Sequence, residues 1–208
     1  YENYKILNDA RRIKKTIADP LEGLMRAVYE RMDDYQRNLV IDPSNADRNA
    51  EFRTKIWHGR KAAAHITGMF YRPPSSRDKR DDEPRFVIIA YKDGVKIAFQ
   101  PMSVAGAESW ETDRKDKVET SELTNSDFEY RFATNEDNSN SPESIDKWIR
   151  GLSSQPSGNY ATEVRRYITS AEVNSIDADV LVDRVVNAIK TLFPIYEMAV
   201  EIKNQPSG

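Results

Sequence analysis

The stretch from Phe86 to Gln100 constrains this chain more than any other part of it. Two apolar runs, Phe86–Tyr91 and Val95–Gln100, flank Asp93-Gly94. Asp-Gly supplies the positive-φ turn that a tight hairpin needs, so the segment reads as strand, turn, strand. Along the first run Phe86, Ile88 and Ala90 fall on one side and Val87, Ile89 and Tyr91 on the other, and both sides are apolar. A strand of that kind is covered on both faces and lies inside its sheet. The remaining chain must supply the covering layers, and 208 residues suffice for one well-cored domain with room for a small appendage.

Helices provide those layers. Tyr4–Ala18 reads as a basic helix with Arg11, Arg12, Lys14 and Lys15 beside Ile6, Leu7, Ile13 and Ile17. Asp19-Pro20 restarts it: Asp19 caps, proline suits the first helical position and Glu22 completes a box-like pattern. Leu21, Leu24, Met25, Val28, Tyr29, Met32 and Tyr35 then follow the spacing of a buried stripe. Asp42-Pro43-Ser44-Asn45 breaks the pattern. Ile56, Trp57, Ile66, Met69, Phe70 and Tyr71 suggest two short strands around a Gly59–Ala64 turn, and Pro73-Pro74 opens an exposed loop that reaches Glu83. Ser141-Pro142 starts a short helix with Ile145, Trp148, Ile149 and Leu152 inward, stopped at Gly151. Asp177–Tyr196 is the last strong helix; it buries Val182, Val185, Val186, Ile189, Leu192 and Phe193, and Pro194 is expected to kink or end it. This order argues for an α+β fold, a mixed or antiparallel sheet with flanking helices and a long C-terminal helix. Residues 1–42 read as an N-terminal helical segment and 43–208 as the α+β body, in one compact unit overall.

Much chemistry is excluded by what is missing. With no cysteine there are no disulfides, thiolate zinc sites or cysteine nucleophiles, and a reducing, cytoplasmic compartment fits. No run approaches the roughly 18 apolar residues of a membrane span, and no signal-peptide pattern opens the chain, so no membrane partner is expected. The chain begins without Met and ends in Gln205-Pro-Ser-Gly, which reads as an excised domain. There is no GxxxxGK[ST] loop, dinucleotide fingerprint or GxSxG elbow. His58 and His65 are the only histidines, too few for a histidine metal centre, and read as solvated or DNA-facing. No catalytic residue, metal ligand or cofactor is assigned. One enzymatic pattern stands apart. Glu201-Ile202-Lys203 follows Met198-Ala199-Val200, and an acid-x-Lys on a strand belongs to magnesium-dependent nucleases when a second strand-borne acid lies upstream.

Charge is distributed unevenly. The formal charge is -3, yet residues 52–80 carry eight Lys or Arg, both histidines and one acid, Asp78. Residues 108–146 reverse this with twelve acids against four bases, and Ala133–Ser141 offers nothing to bury and reads as a mobile loop. Arg53, Lys55, Arg60 and Lys61 bracket Trp57 and His58, while Arg72, Arg77, Lys79 and Arg80 follow Phe70 and Tyr71. Lys and Arg neutralise phosphates and release counterions, and aromatic faces stack on bases that have left the helix. The alternative is a solvated basic face turned toward the acidic segment. Composition does not choose between them.

Several segments occur in a familiar order. The hairpin runs Arg85-Phe-Val-Ile-Ile-Ala-Tyr-Lys-Asp93 and continues over Val95–Ser103; upstream stand Thr54-Lys-Ile-Trp-His-Gly59 and Ile66–Tyr71; downstream stand Ser157-Gly-Asn-Tyr160 and the helix Asp179–Phe193. In these features residues 52–199 resemble the N-terminal DNA-binding domain of McrB-type modification-dependent restriction proteins. The resemblance implies a domain that binds methylated cytosine in DNA, takes the modified base out of the duplex and holds it in a pocket of aromatic and aliphatic side chains. It also implies that the motor and nuclease lie in other domains or subunits. Ile89 matches a pocket-lining aliphatic. Arg60 falls where a base-stacking tyrosine is found and Gly68 where a pocket tryptophan is found. Arg60 can stack through its guanidinium plane or hold a phosphate. Trp57 is either the substitute aromatic or, by strand alternation, a core residue. Tyr160 and Tyr167 are candidates for the far wall, with core packing open for Tyr160, and Tyr91 is core or wall.

The sequence thus reads as the DNA-binding specificity module of a restriction or defence system, with double-stranded, methylated DNA as partner. Arg53, Lys55, His58, Arg60 and Lys61 form the DNA-contacting set, and Trp57, Ile89, Tyr91, Tyr160 and Tyr167 the base pocket. Two rivals stand beside it: a magnesium-dependent nuclease using Glu201 and Lys203, and an interaction or assembly domain working through the two charge segments.

Overall fold

The computed structural model of the chain describes residues 15–16, 19–40, 57–58, 61–62, 65–72, 82–91, 93–110, 128–132, 145–159 and 161–204. Apart from Lys15 and Thr16, the expected Tyr4–Ala18 helix lies outside them, as do the loop expected over 133–141 and residues 73–81 of the exposed loop expected to reach Glu83, which is itself buried. The strands are β1 (Trp57–His58), β2 (Lys61–Ala62), β3 (His65–Tyr71), β4 (Arg85–Tyr91), β5 (Gly94–Gln100), β6 (Glu129–Arg131) and β7 (Glu163–Thr169). The helices are α1 (Asp19–Glu30), α2 (Asp34–Leu39), α3 (Ile145–Gly151), α4 (Ser170–Ser175) and α5 (Ala178–Asn204). β3, β4, β5, β7 and β6 form an antiparallel sheet in that order, so the fold is α+β. No helix among the described residues is long and apolar enough to cross a membrane.

The hairpin forms where Asp93-Gly94 demands it. β4 lies between β3 and β5, and all five residues Arg85–Ile89 are buried, as a strand apolar on both sides requires. The basic window folds differently from expectation. Trp57 pairs with Ala62 and His58 with Lys61 in a separate two-stranded ribbon, and β3 follows as a third strand.

Residue contacts cluster into two compact units: Tyr1–Phe70, Val87–Lys96 and Tyr167–Val186 in the first, and Tyr71–Phe86, Ile97–Arg166 and Asn187–Gly208 in the second. In the first, α1 buries Leu21, Met25 and Val28 as its spacing predicts, and an Arg26–Glu22 pair at 2.7 Å braces its outer face. Tyr35 departs from that stripe and is 61% exposed. The reason is local. The first helix ends at Glu30 and Asp33 caps the next: its Oδ1 accepts from the Gln36 N–H at 2.8 Å while Gln36 Oε1 accepts from the Asp33 N–H at 3.3 Å. This capping box resets the helical register two residues before Tyr35. Gly68 is closed off by the same helix, since a Cβ there would stand 2.8 Å from Met25 Sδ. Arg31 ties the end of α1 to α5 through Asp179 (2.8 Å) and Asp183 (2.6 Å).

The second unit is built on aromatics. Phe86 lies 5.0 Å from Tyr196 and 6.1 Å from Phe193, and Phe99 meets both Tyr196 and Trp148 edge-on at 6.4 Å. Trp148 and Leu152 are fully buried from α3 and the 3-10 turn that continues it past Gly151. Buried charges are chained rather than stranded. Arg85 Nε donates to Gln100 Oε1 (3.1 Å), Gln100 Nε2 donates to Glu163 Oε2 (3.1 Å), and Arg165 pairs with Glu163 (3.3 Å) and Glu129 (3.0 Å). Unpaired, each such charge would cost several kcal/mol, on the order of 3–5.

Pro194 does not end α5, and the segment after it is helical rather than a strand. Val182, Val185, Val186, Ile189, Leu192 and Phe193 are buried as predicted, but the helix runs through Pro194 to Asn204. A proline inside a helix costs about 3 kcal/mol. Ile195, Tyr196, Met198, Ala199, Val200 and Ile202 beyond it are all buried, at roughly 1.5–3 kcal/mol for each large side chain, and this outweighs the lost hydrogen bond. Glu201-Ile202-Lys203 is consequently helical, which removes the strand that the nuclease pattern needs. Positions two apart on a helix diverge by about 200°. Glu201 is exposed, while the Lys203 ammonium donates to Ser103 Oγ at 2.7 Å. Among the described residues no group of three His, Asp or Glu could hold a metal ion.

Candidate functional site

The sequence-derived candidates fall into three groups. Arg53, Lys55, Arg60 and Tyr160 lie outside the described residues. Trp57, His58 and Lys61 are placed by their backbone in the β1–β2 ribbon. Ile89, Tyr91 and Tyr167 are described in full, and the structure brings two of them together.

Those two are Tyr91 and Tyr167, which stand far apart in the chain and line one open cavity of about 370 Å³ with Asp93, Gly94, Ile168 and Thr169. Each wall has a local cause. Tyr91 ends β4, where the burial of the strand gives way to partial exposure. β7 alternates at its end: Ile168 is buried, and its neighbours Tyr167 and Thr169 are exposed. Tyr167 is 44% exposed, a large aromatic left on the surface. Ile89 shares Tyr91's face of β4 by alternation, but it is 7% exposed and does not line the cavity.

The floor is set by a close backbone approach. Gly94 has φ 141°, and a Cβ on it would stand 2.2 Å from the Ile168 carbonyl oxygen. Only glycine lets the hairpin come this near to β7. The Ser170 N–H then donates to the Asp93 carbonyl at 2.8 Å and pins the turn to the start of α4.

Thr169 on the rim is fully committed. It caps α4, donating its N–H (2.8 Å) and hydroxyl (2.9 Å) to Glu172 Oε2 and accepting from the Glu172 N–H (3.2 Å). Bonds from the Thr169 N–H and hydroxyl, with Arg184 nearby, hold the Glu172 carboxyl below its ordinary value. Asp93 differs: its side chain is exposed and hydrogen-bonds to nothing among the described residues. The site therefore offers two phenol rings for stacking and one carboxylate, unpaired among the described residues, as an acceptor. Neither Asp93 nor Gly94 was a site candidate from sequence. Their signal was present as the turn after Tyr91-Lys92, where a hairpin explanation already accounted for both. No protein-family model matches this chain, and no curated protein matches it.

Proposed function

We propose that this chain is the DNA-binding specificity module of a defence system, and that it holds one base, taken out of the duplex, in the cavity walled by Tyr91 and Tyr167. The observation that carries the reading is the meeting of those two tyrosines at one open cavity of about 370 Å³. That volume lies within the range of small-ligand sites, roughly 300–1,000 Å³, and leaves room for a modified base. Extrusion costs a few kcal/mol. Stacking on an aromatic returns about 1–3 kcal/mol per base, so two rings offset it. Eight Lys or Arg in residues 52–80 supply the phosphate attraction that a chain of net charge -3 otherwise lacks. The resemblance to McrB-type domains adds methylated cytosine as the base, and a motor and nuclease in other domains or subunits.

Titration of a labelled duplex, methylated or unmodified, across a salt series tests this. Tyr91→Ala and Tyr167→Ala are each expected to weaken binding about tenfold and leave the salt slope unchanged. Lys61→Gln is expected to weaken binding to all sequences and reduce the slope by about one. No binding even at low salt would remove the proposal. Binding indifferent to both tyrosines would remove its base-holding part.

A further inference from the structure

We infer that Asp93 sets the specificity of this cavity, its carboxylate accepting from the exocyclic amine of the base and so selecting amino-bearing bases over keto ones. This rests on the base-holding reading above and goes beyond it, because stacking alone cannot make that choice: every base has a π-face, with or without an amine.

Three observations support the assignment. First, among the polar side chains lining the cavity, Thr169 is consumed by its cap with Glu172, whereas Asp93 is exposed and makes no bond among the described residues. Second, its backbone is not free to drift. The Asp93 carbonyl is held by the Ser170 N–H at 2.8 Å, and the next residue, Gly94, is in contact with the Ile168 carbonyl. The acceptor is thus carried on a fixed turn at the rim, which lowers the cost of ordering it when a ligand arrives. Third, a carboxylate only accepts. An amine at the base edge donates to it, as acidic side chains accept from the cytosine amine in direct readout. A keto oxygen at the same place sets lone pairs against lone pairs. At the exposed rim this mismatch costs what one base-edge contact is worth, about tenfold in affinity, rather than the larger penalty of a buried unpaired group. The same charge repels phosphate, so a nucleotide would enter base first.

The test uses the whole chain and two duplexes that differ at one position, cytosine or uracil, each opposite an abasic site so that neither base is held by a partner. Fluorescence anisotropy gives the two affinities. The unaltered protein is expected to prefer the cytosine duplex about tenfold, the discrimination of one good base contact. Asp93→Ala is expected to bring the ratio close to one. Asp93→Asn, which can donate from its amide as well as accept, is expected to do so by raising uracil affinity. Circular dichroism checks that both variants stay folded. A cytosine preference unchanged in both variants overturns the assignment of Asp93, as does equal affinity of the unaltered protein for both duplexes. In either case, weakened binding by Tyr91→Ala and Tyr167→Ala shows that base holding itself survives, and tyrosine variants without effect show that the underlying reading has failed instead.

Discussion

Gly94 carries a burden that no other residue type could. Its φ of 141° is strained for any L side chain, and an added Cβ would lie 2.2 Å from one backbone oxygen and 3.0 Å from the Ser170 nitrogen. Backbone is a poor yielder, so the strands must separate. Gly94→Ala is expected to lower the unfolding free energy by at least roughly 1–3 kcal/mol, the cost of a forced backbone conformation, and to release the Ser170–Asp93 bond. Chemical denaturation measures the first effect and amide exchange at Ser170 the second; a stability loss below that range would show that the strands part without strain. The sequence makes the glycine legible as a turn residue. Its second role, allowing β7 to approach, depends on a strand that comes much later in the chain, and local patterns hold no record of it. Tyr167 was legible as a candidate wall and Tyr91 as core or wall, because an aromatic at a strand end carries no local mark of which face it takes. Only the partial exposure of both rings at the cavity decides.

At the scale of elements, periodicity was the reliable guide and local breakers were not. The hairpin, the α1 stripe and the buried face of α5 follow their repeat because burial of one face dominates their energy. Pro194 and Tyr35 are the instructive exceptions. Burial beyond Pro194 overrides a local penalty, and the Asp33–Gln36 box cuts a stripe that spacing alone would continue. A second capping box, Thr169–Glu172, makes α4 sensitive to acid. The Glu172 carboxyl is held below its ordinary value of 4.5, chiefly by the Thr169 N–H and hydroxyl. Its contribution is therefore present above that ordinary value and lost as pH falls through the lower folded-state value. Acidification is expected to fray α4, seen as a lower amide protection factor at Glu172 after the intrinsic pH dependence of exchange is divided out. Glu172→Gln should flatten that dependence, and Thr169→Ala should cost about 1 kcal/mol at neutral pH.

For the whole molecule, alkaline stability is governed from the aromatic core. Burial, reinforced by Glu83, raises the Tyr196 phenol well above its ordinary value of 10.0. The unfolded chain loses this proton first, so stability is complete below about pH 10 and declines as pH rises above it. Thermal denaturation from pH 8 to 11 is expected to show that decline, with a shallower one in Tyr196→Phe. Equal slopes would mean that the phenol ionises without unfolding the core.

Each compact unit is assembled from three separate stretches of chain, and the last begins at Tyr167 in one and Asn187 in the other. No single cut yields either unit alone. During synthesis, one core cannot close until Tyr167–Val186 has left the ribosome, and the other not until the stretch from Asn187 has followed it. The β4–β5 hairpin is made long before its neighbour β7, and its apolar faces wait uncovered. Such long-range pairing folds slowly and passes through species prone to association. The yield of a fold built this way should depend on how well its early strands are shielded until the later ones arrive.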